Sequence, residues 1–288
     1  MSSLYPPAPP AIAADQSGNA SGSYCPNSFA ADTRLMPAAQ SHWLGWALLA
    51  FVVSGLVSSS AQYPLLRAIN ALAGRSPIFD LLINAPTAFP LFGGVILMAG
   101  IWHCWFDADT MVQRSRILAG LVAASAVGIV SRLLQLSLPT HLRPLHDAAL
   151  GFRPPFGVDP AILNHWNAWP SDTSSLVVGL ATVIHIASPR LGRLAFAFAA
   201  VLCLCRVYLG LHFPADIVGG AALGILAVRL AQFPACIDAS RRLLEATQTW
   251  PGPFHAALFS LSYGAATLFD DIRGFAFQAI RLLRMTNG

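Results

Sequence analysis

Between residues 35 and 66 the chain carries no Asp, Glu, Lys or Arg. Within that stretch residues 43–61 are long enough, as a helix rising ~1.5 Å per residue, to cross the ~30 Å hydrocarbon layer of a bilayer. Further apolar windows follow at residues 88–106, 117–138, 173–187, 191–210 and 215–232, each bounded by Pro, Asp or Arg. Six such windows predict an all-α, polytopic membrane helix bundle of about six transmembrane helices over residues 41–233, since a lipid-exposed backbone is satisfied only in helices or closed barrels. No internal repeat interrupts the pattern.

The composition agrees. Apolar residues make up 55% of the 288 and charged ones only 10%, well below the quarter or so usual in soluble chains. All 17 basic residues are Arg, and Glu245 is the only Glu among 13 acids. A chain with no Lys has no Walker-type phosphate loop, Schiff-base lysine or pyridoxal site. The net charge of +4 comes from scattered arginines, of which only Arg241 and Arg242 are adjacent, so no nucleic-acid partner is expected. Five cysteines contain no Cys-x-x-Cys, and Cys203 and Cys205 lie too close together for a zinc pair. No metal, no cofactor and no disulfide are expected.

The flanks read differently. Residues 1–40, rich in Pro, Ala and Ser, predict a disordered tail without the basic start of a signal peptide. Residues 234–288 predict an interfacial, amphipathic segment. Pro251 and Pro253 break the charge-free window at 246–269, while Ile272, Phe275, Ala276, Ala279, Ile280 and Leu283 form an apolar stripe opposite Arg273, Arg281 and Arg284. With the N-terminus inside, eight arginines fall on cytoplasmic segments against six outside, a modest positive-inside bias.

Polar residues concentrate at 132–147, 170–173 and 206–216. In a six-span topology all three lie on the same, extracytoplasmic face. The last reads Arg206-Val-Tyr-Leu-Gly-Leu-His212-Phe-Pro-Ala-Asp216. Pro214 is placed to open a helix, which puts Asp216 in its first turn and His212 just before it. A carboxylate there orients one ring nitrogen of His212 and leaves the other as nucleophile or base, while Arg206 offers a planar fork for phosphate oxygens. Ser171 and Thr173 sit at a helix start, where free N–H groups suit either a simple N-cap or an anion. Arg132, inside a span, needs a partner or a wet cavity, and Arg143-Pro144 follows in a loop with His141, His146 and Asp147.

These segments resemble the type 2 phosphatidic acid phosphatase superfamily of membrane lipid phosphatases. Its pattern is Lys, six residues, Arg-Pro; then Pro-Ser-Gly-His; then Ser-Arg, five residues, His, three residues, Asp. The chain matches at Arg143-Pro144, Pro170-Ser171, and Arg206, His212 and Asp216, with Cys205 for the family Ser. The resemblance implies a phosphohistidine on His212, oriented by Asp216, with Arg143, Arg206, Ser171, Thr173 and Arg132 around the phosphate and a lipid phosphate or diphosphate as substrate among membrane lipids. Two positions depart from it. Leu136 stands where the family has Lys, with Arg132 one turn earlier as a stand-in, and Thr173 replaces the His that protonates the leaving group. His141, His146 or His165 supplies that proton from elsewhere, or catalysis is lost, or the substrate needs little help. A leaving phosphate, with a second pKa near ~6, needs far less protonation than an alkoxide, which favours a prenyl diphosphate. The competing readings are a phosphotransferase using the same groups and a non-catalytic membrane protein binding anionic lipids.

Overall fold

The structure, a computed structural model, describes residues 38–267 except His165, together with Phe269, all within the compact unit Met36–Gly288. The expected tail lies almost wholly outside the described residues. So do His165 and the amphipathic helix read over residues 272–283.

Among the described residues every regular element is a helix. The elements are α1 (Ala38–Leu56), α2 (Ser59–Asn70), α3 (Pro77–Ala88), α4 (Gly94–Phe106), α5 (Met111–Ser137), α6 (Asp172–Ala187), α7 (Pro189–Tyr208), α8 (Pro214–Leu230), α9 (Pro234–Ala246) and α10 (Pro251–Ala266). Their starts are written in the sequence. Pro opens α3, α7, α8, α9 and α10, where its missing N–H costs nothing and its fixed φ is already helical. Thr110 and Gln113 close a capping box on α5, each side chain taking the other's backbone N–H.

Four of the six expected spans, at 117–138, 173–187, 191–210 and 215–232, fall on one helix each, α5, α6, α7 and α8, whereas the one at 43–61 runs past the end of α1 into the first turn of α2. By length and composition α5 and α7 are able to cross a membrane, and the α1–α2 and α8–α9 pairs, bent by 91° and 69°, qualify together. The second expected span is shorter than the reading over residues 88–106. Pro90 and the Gly93-Gly94 pair break it into a 3₁₀ turn at Pro90–Phe92 and the 13-residue α4. Large apolar side chains line the outside of α1, α5 and α7, among them Trp46, Leu56, Ile129, Leu133, Leu194 and Leu204, as a lipid-facing surface requires.

At the centre stands α6, buried on every side from Thr173 to Ile184 and packed against α5, α7 and α8. A helix apolar all round belongs in the interior. Glycine sets its distance from α8: a Cβ on Gly220 would stand 2.2 Å from the Ser171 carbonyl oxygen, and one on Gly224 2.2 Å from that of Ser175. This small-xxx-small pairing brings two backbones together, and Ser174 Oγ donates across the seam to the Ile217 carbonyl at 2.9 Å. On one end, α2, α3 and the 138–171 loop cover the bundle. There the fully buried Asp80 accepts from the Tyr208 hydroxyl, from Gly74 N–H at 2.9 Å and from Phe156 N–H at 2.7 Å. Those donors hold its carboxyl below the usual range against the opposing effect of burial.

Candidate active site

The three polar segments meet at this end of the bundle. Arg206, in the last turn of α7, donates to Thr173 Oγ1 at 2.5 Å. Ser171 N–H donates to the Asp216 carbonyl at 3.1 Å. Arg143 donates through Nη1 to the Leu211 carbonyl at 2.6 Å and through Nη2 to the Asn167 carbonyl at 3.3 Å. Segments far apart in sequence are thus tied by their own candidate side chains.

His212 is 1% exposed, and its Nε2 stands 3.4 Å from Arg143 Nη1. Burial, then the Arg143 guanidinium, push its pKa below the ordinary histidine value, so the ring is neutral near pH 7 and Nε2 keeps its lone pair. The nitrogen on the other side is oriented differently from the expectation. Nδ1 lies 3.1 Å from the Ala168 carbonyl and 3.7 Å from Asp216 Oδ2. A carbonyl, with Asp216 behind it, fixes the tautomer. Asp216 Oδ2 is taken by the Phe213 N–H at 2.7 Å, and Oδ1 faces His141 Nδ1 at 3.1 Å. The carboxylate therefore lies between two imidazoles, one of which the reading of His212 and Asp216 as a simple pair leaves out.

Arg143 is 2% exposed, and its Nε has no hydrogen-bond partner among the described residues. Burial lowers its pKa to about 10, Asp172 opposing and Arg206 adding to the effect. It remains a cation at neutral pH, held in place by backbone carbonyls that cannot neutralise it. An unsatisfied N–H on a buried guanidinium beside His212 Nε2 suits an anion's oxygen. Arg206 and Thr173 line a small cavity of about 30 Å³ with Thr87, Gly93 and Val177, room for little more than a water.

The other expected residues divide. Ser171 is fully buried and its hydroxyl caps α6 by accepting the Ser174 N–H at 3.3 Å, the ordinary N-cap role. Asp172 turns aside, its Oδ1 accepting the Thr173 N–H at 2.8 Å. Arg132 donates to Gln135 Oε1 at 2.5 Å and stacks 3.4 Å above the Trp166 ring, while Leu136, at the family Lys position, is 73% exposed. His146 points elsewhere, 3.1 Å from the Pro160 carbonyl.

Sequence reasoning missed the scaffold of the loop. Asn167 Oδ1 accepts from His141 and Trp169 N–H, and its Nδ2 donates to the Gln135, Leu138 and Pro139 carbonyls. Gln135 Nε2 and Ser131 Oγ both bind the Pro170 carbonyl, at 2.6 and 3.0 Å. The available signal was the pair of polar residues at 131 and 135, one turn apart beside Arg132 near the end of α5.

Residues 91–233, about half of the chain, match the PAP2 superfamily. No curated protein matches the chain. Among solved structures it is similar to the first transmembrane PAP2 type phosphatidylglycerolphosphate phosphatase from Bacillus subtilis, at 20% identity over 67% of this chain and 94% of that one, with a TM-score of 0.43.

Proposed function

Because the chain belongs to the PAP2 superfamily, whose membership supports a lipid phosphatase of the membrane, we propose that it dephosphorylates a lipid-linked diphosphate, a prenyl diphosphate being favoured, from the extracytoplasmic side. The observation that carries the reading is the buried His212 with the Arg143 guanidinium 3.4 Å from its Nε2. Nε2 attacks the terminal phosphorus. The bridging P–O bond breaks, the lipid monophosphate leaves, and water then releases phosphate from the phosphohistidine. Arg143 and Arg206 meet the charge on the equatorial oxygens, with Arg132 beside them, while the Ser171 and Thr173 N–H groups, spent on the Asp216 carbonyl and Asp172 Oδ1, shape the wall behind the phosphate rather than bind it. Asp216 stabilises the ring when its phosphorylation makes it cationic. The Thr173 hydroxyl is engaged with Arg206 and is too weak an acid to protonate an alkoxide, which is why a phosphate leaving group fits this site.

The test is phosphate release by the detergent-purified protein from a prenyl diphosphate and from a lipid monophosphate, with His212→Ala alongside. Faster turnover of the diphosphate, abolished in the variant, supports the proposal. A faster monophosphate removes the diphosphate preference. Turnover that survives His212→Ala removes the mechanism, and binding without turnover leaves a phosphate-binding member of the fold.

A further inference from the structure

Beyond the phosphatase reading, and sharing only Asp216 with it, a second set of groups approaches the geometry of an acyl-transfer site. His141 Nε2 stands 2.8 Å from Ser59 Oγ, and its Nδ1 stands 3.1 Å from Asp216 Oδ1. Asp216 is fully buried, while His141 and Ser59 are half-buried. Acid, base and hydroxyl follow one another, the hydroxyl on Nε2 and the carboxylate at ion-pair distance from Nδ1, where neither Nδ1 nor Oδ1 has a hydrogen-bond partner among the described residues and a small turn of the ring joins the two. Such triads are recognised by geometry and role, whatever the fold. The base is held in place: Asn167 Oδ1 takes the His141 N–H at 3.1 Å, the His141 carbonyl takes the Ala168 N–H at 2.9 Å, and the ring lies 5.3 Å from that of Phe213.

Ser59 is the first residue of α2, after the N-cap Ser58. First-turn N–H groups have no carbonyl of their own helix to bind, and the N–H after a nucleophile is a common oxyanion donor. Ser59 and His141 also line a cavity of about 440 Å³ with Thr140, Asn167 and Trp169. Through Ser54 and Val57 that cavity adjoins an apolar groove of about 370 Å³ between α1 and α8, walled by Trp46, Leu49, Val53 and Val218. A polar chamber opening onto an apolar trough fits an ester head with an acyl tail.

We propose that Ser59, His141 and Asp216 form a second catalytic site, cleaving carboxylic esters of acyl chains that lie in the α1–α8 groove. Ser59 Oγ bonds to the carbonyl carbon as its proton passes to His141 Nε2. The bond to the alcohol oxygen then breaks, and that oxygen leaves with the proton from His141. Water, deprotonated by the same ring, frees the carboxylic acid and restores Ser59. Asp216 serves both sites through different oxygens, Oδ1 toward His141 and Oδ2 toward His212.

The experiment treats the full-length protein in detergent with an alkyl fluorophosphonate, maps the adduct by mass spectrometry and measures p-nitrophenyl octanoate hydrolysis. The expected result is a single adduct on Ser59, with labelling and hydrolysis falling roughly 10⁴-fold in His141→Gln and persisting in His212→Ala. Ser59→Ala abolishes both while retaining phosphate release. A wild-type protein without an adduct on Ser59 overturns the proposal, and so does labelling that His141→Gln leaves unchanged. Neither outcome touches the phosphatase reading, which stands or falls with His212→Ala.

Discussion

Replacing Gly220 by Ala tests whether the approach of α8 to α6 sets the geometry of the site. The new methyl would stand 2.2 Å from both the Ser171 carbonyl oxygen and Ser174 Oγ, about 1 Å inside ordinary contact. Backbone on both sides leaves no side chain to swing away from the Ser171 oxygen, so the helices must part by a similar distance. Overpacking of this kind costs about 1–3 kcal/mol, and the parting falls where Ser171 N–H meets the Asp216 carbonyl. A displacement near 1 Å at a reacting centre costs on the order of 10²-fold in rate. The assay is phosphate release together with thermal unfolding in detergent, with Gly128→Ala as comparator because a Cβ there meets nothing within 4 Å. Gly128→Ala is expected to be neutral or to stabilise by about 0.5–1 kcal/mol, whereas Gly220→Ala lowers Tm by on the order of 5 °C and turnover about 10²-fold. If the two variants behave alike, the argument from the glycine seam is wrong.

Other consequences are open to direct measurement. Because burial and Arg143 disfavour the charged ring, a carbon-13 histidine NMR titration should place the midpoint of His212 below about 6.5, so the reactive neutral form persists into mild acid; a midpoint above that value contradicts the described environment. Arg206→Lys keeps the charge but loses the fork that holds Thr173, and should cut turnover by roughly 10²-fold or more, while Arg75→Lys, on the surface, should change nothing; equal effects would deny Arg206 its place. Asp80→Asn puts an amide where three donors converge and should destabilise by about 2–3 kcal/mol, read as a fall in Tm, and an unchanged Tm would show the carboxylate to be dispensable.

The helices were legible because apolar length and Pro punctuation act locally. Pro189 and Pro214 mark α7 and α8 to the residue. Less legible were α2 and α3, since each carries an internal proline, Pro64 and Pro86, and the tertiary contacts that hold them lie far along the chain. The convergence of Arg143, Arg206, His212 and Asp216 followed from motif spacing and topology parity. What spacing could not resolve was which donor reaches which oxygen. Asp216 and His212 are four residues apart and suggested a pair, yet the Ala168 carbonyl is closer to the ring, and the closer imidazole on Asp216 is His141, 75 residues earlier. Arg132 illustrates the same limit: its position on α5 was plain, its stacking on Trp166 was not.

Arg143 enters the folded state with its charge only partly compensated, bonded to two carbonyls while Nε stays without a partner. That residual cost is part of the free energy of folding, and an anion that settles on the guanidinium relieves it. Occupancy and stability are then linked quantities, each phosphate bound deepening the folded well and each unfolding event releasing it. Inorganic phosphate, which the proposed second step would release, is itself such an anion, so the feature that suits the pocket to a phosphate group also ties the protein's stability to how much phosphate surrounds it.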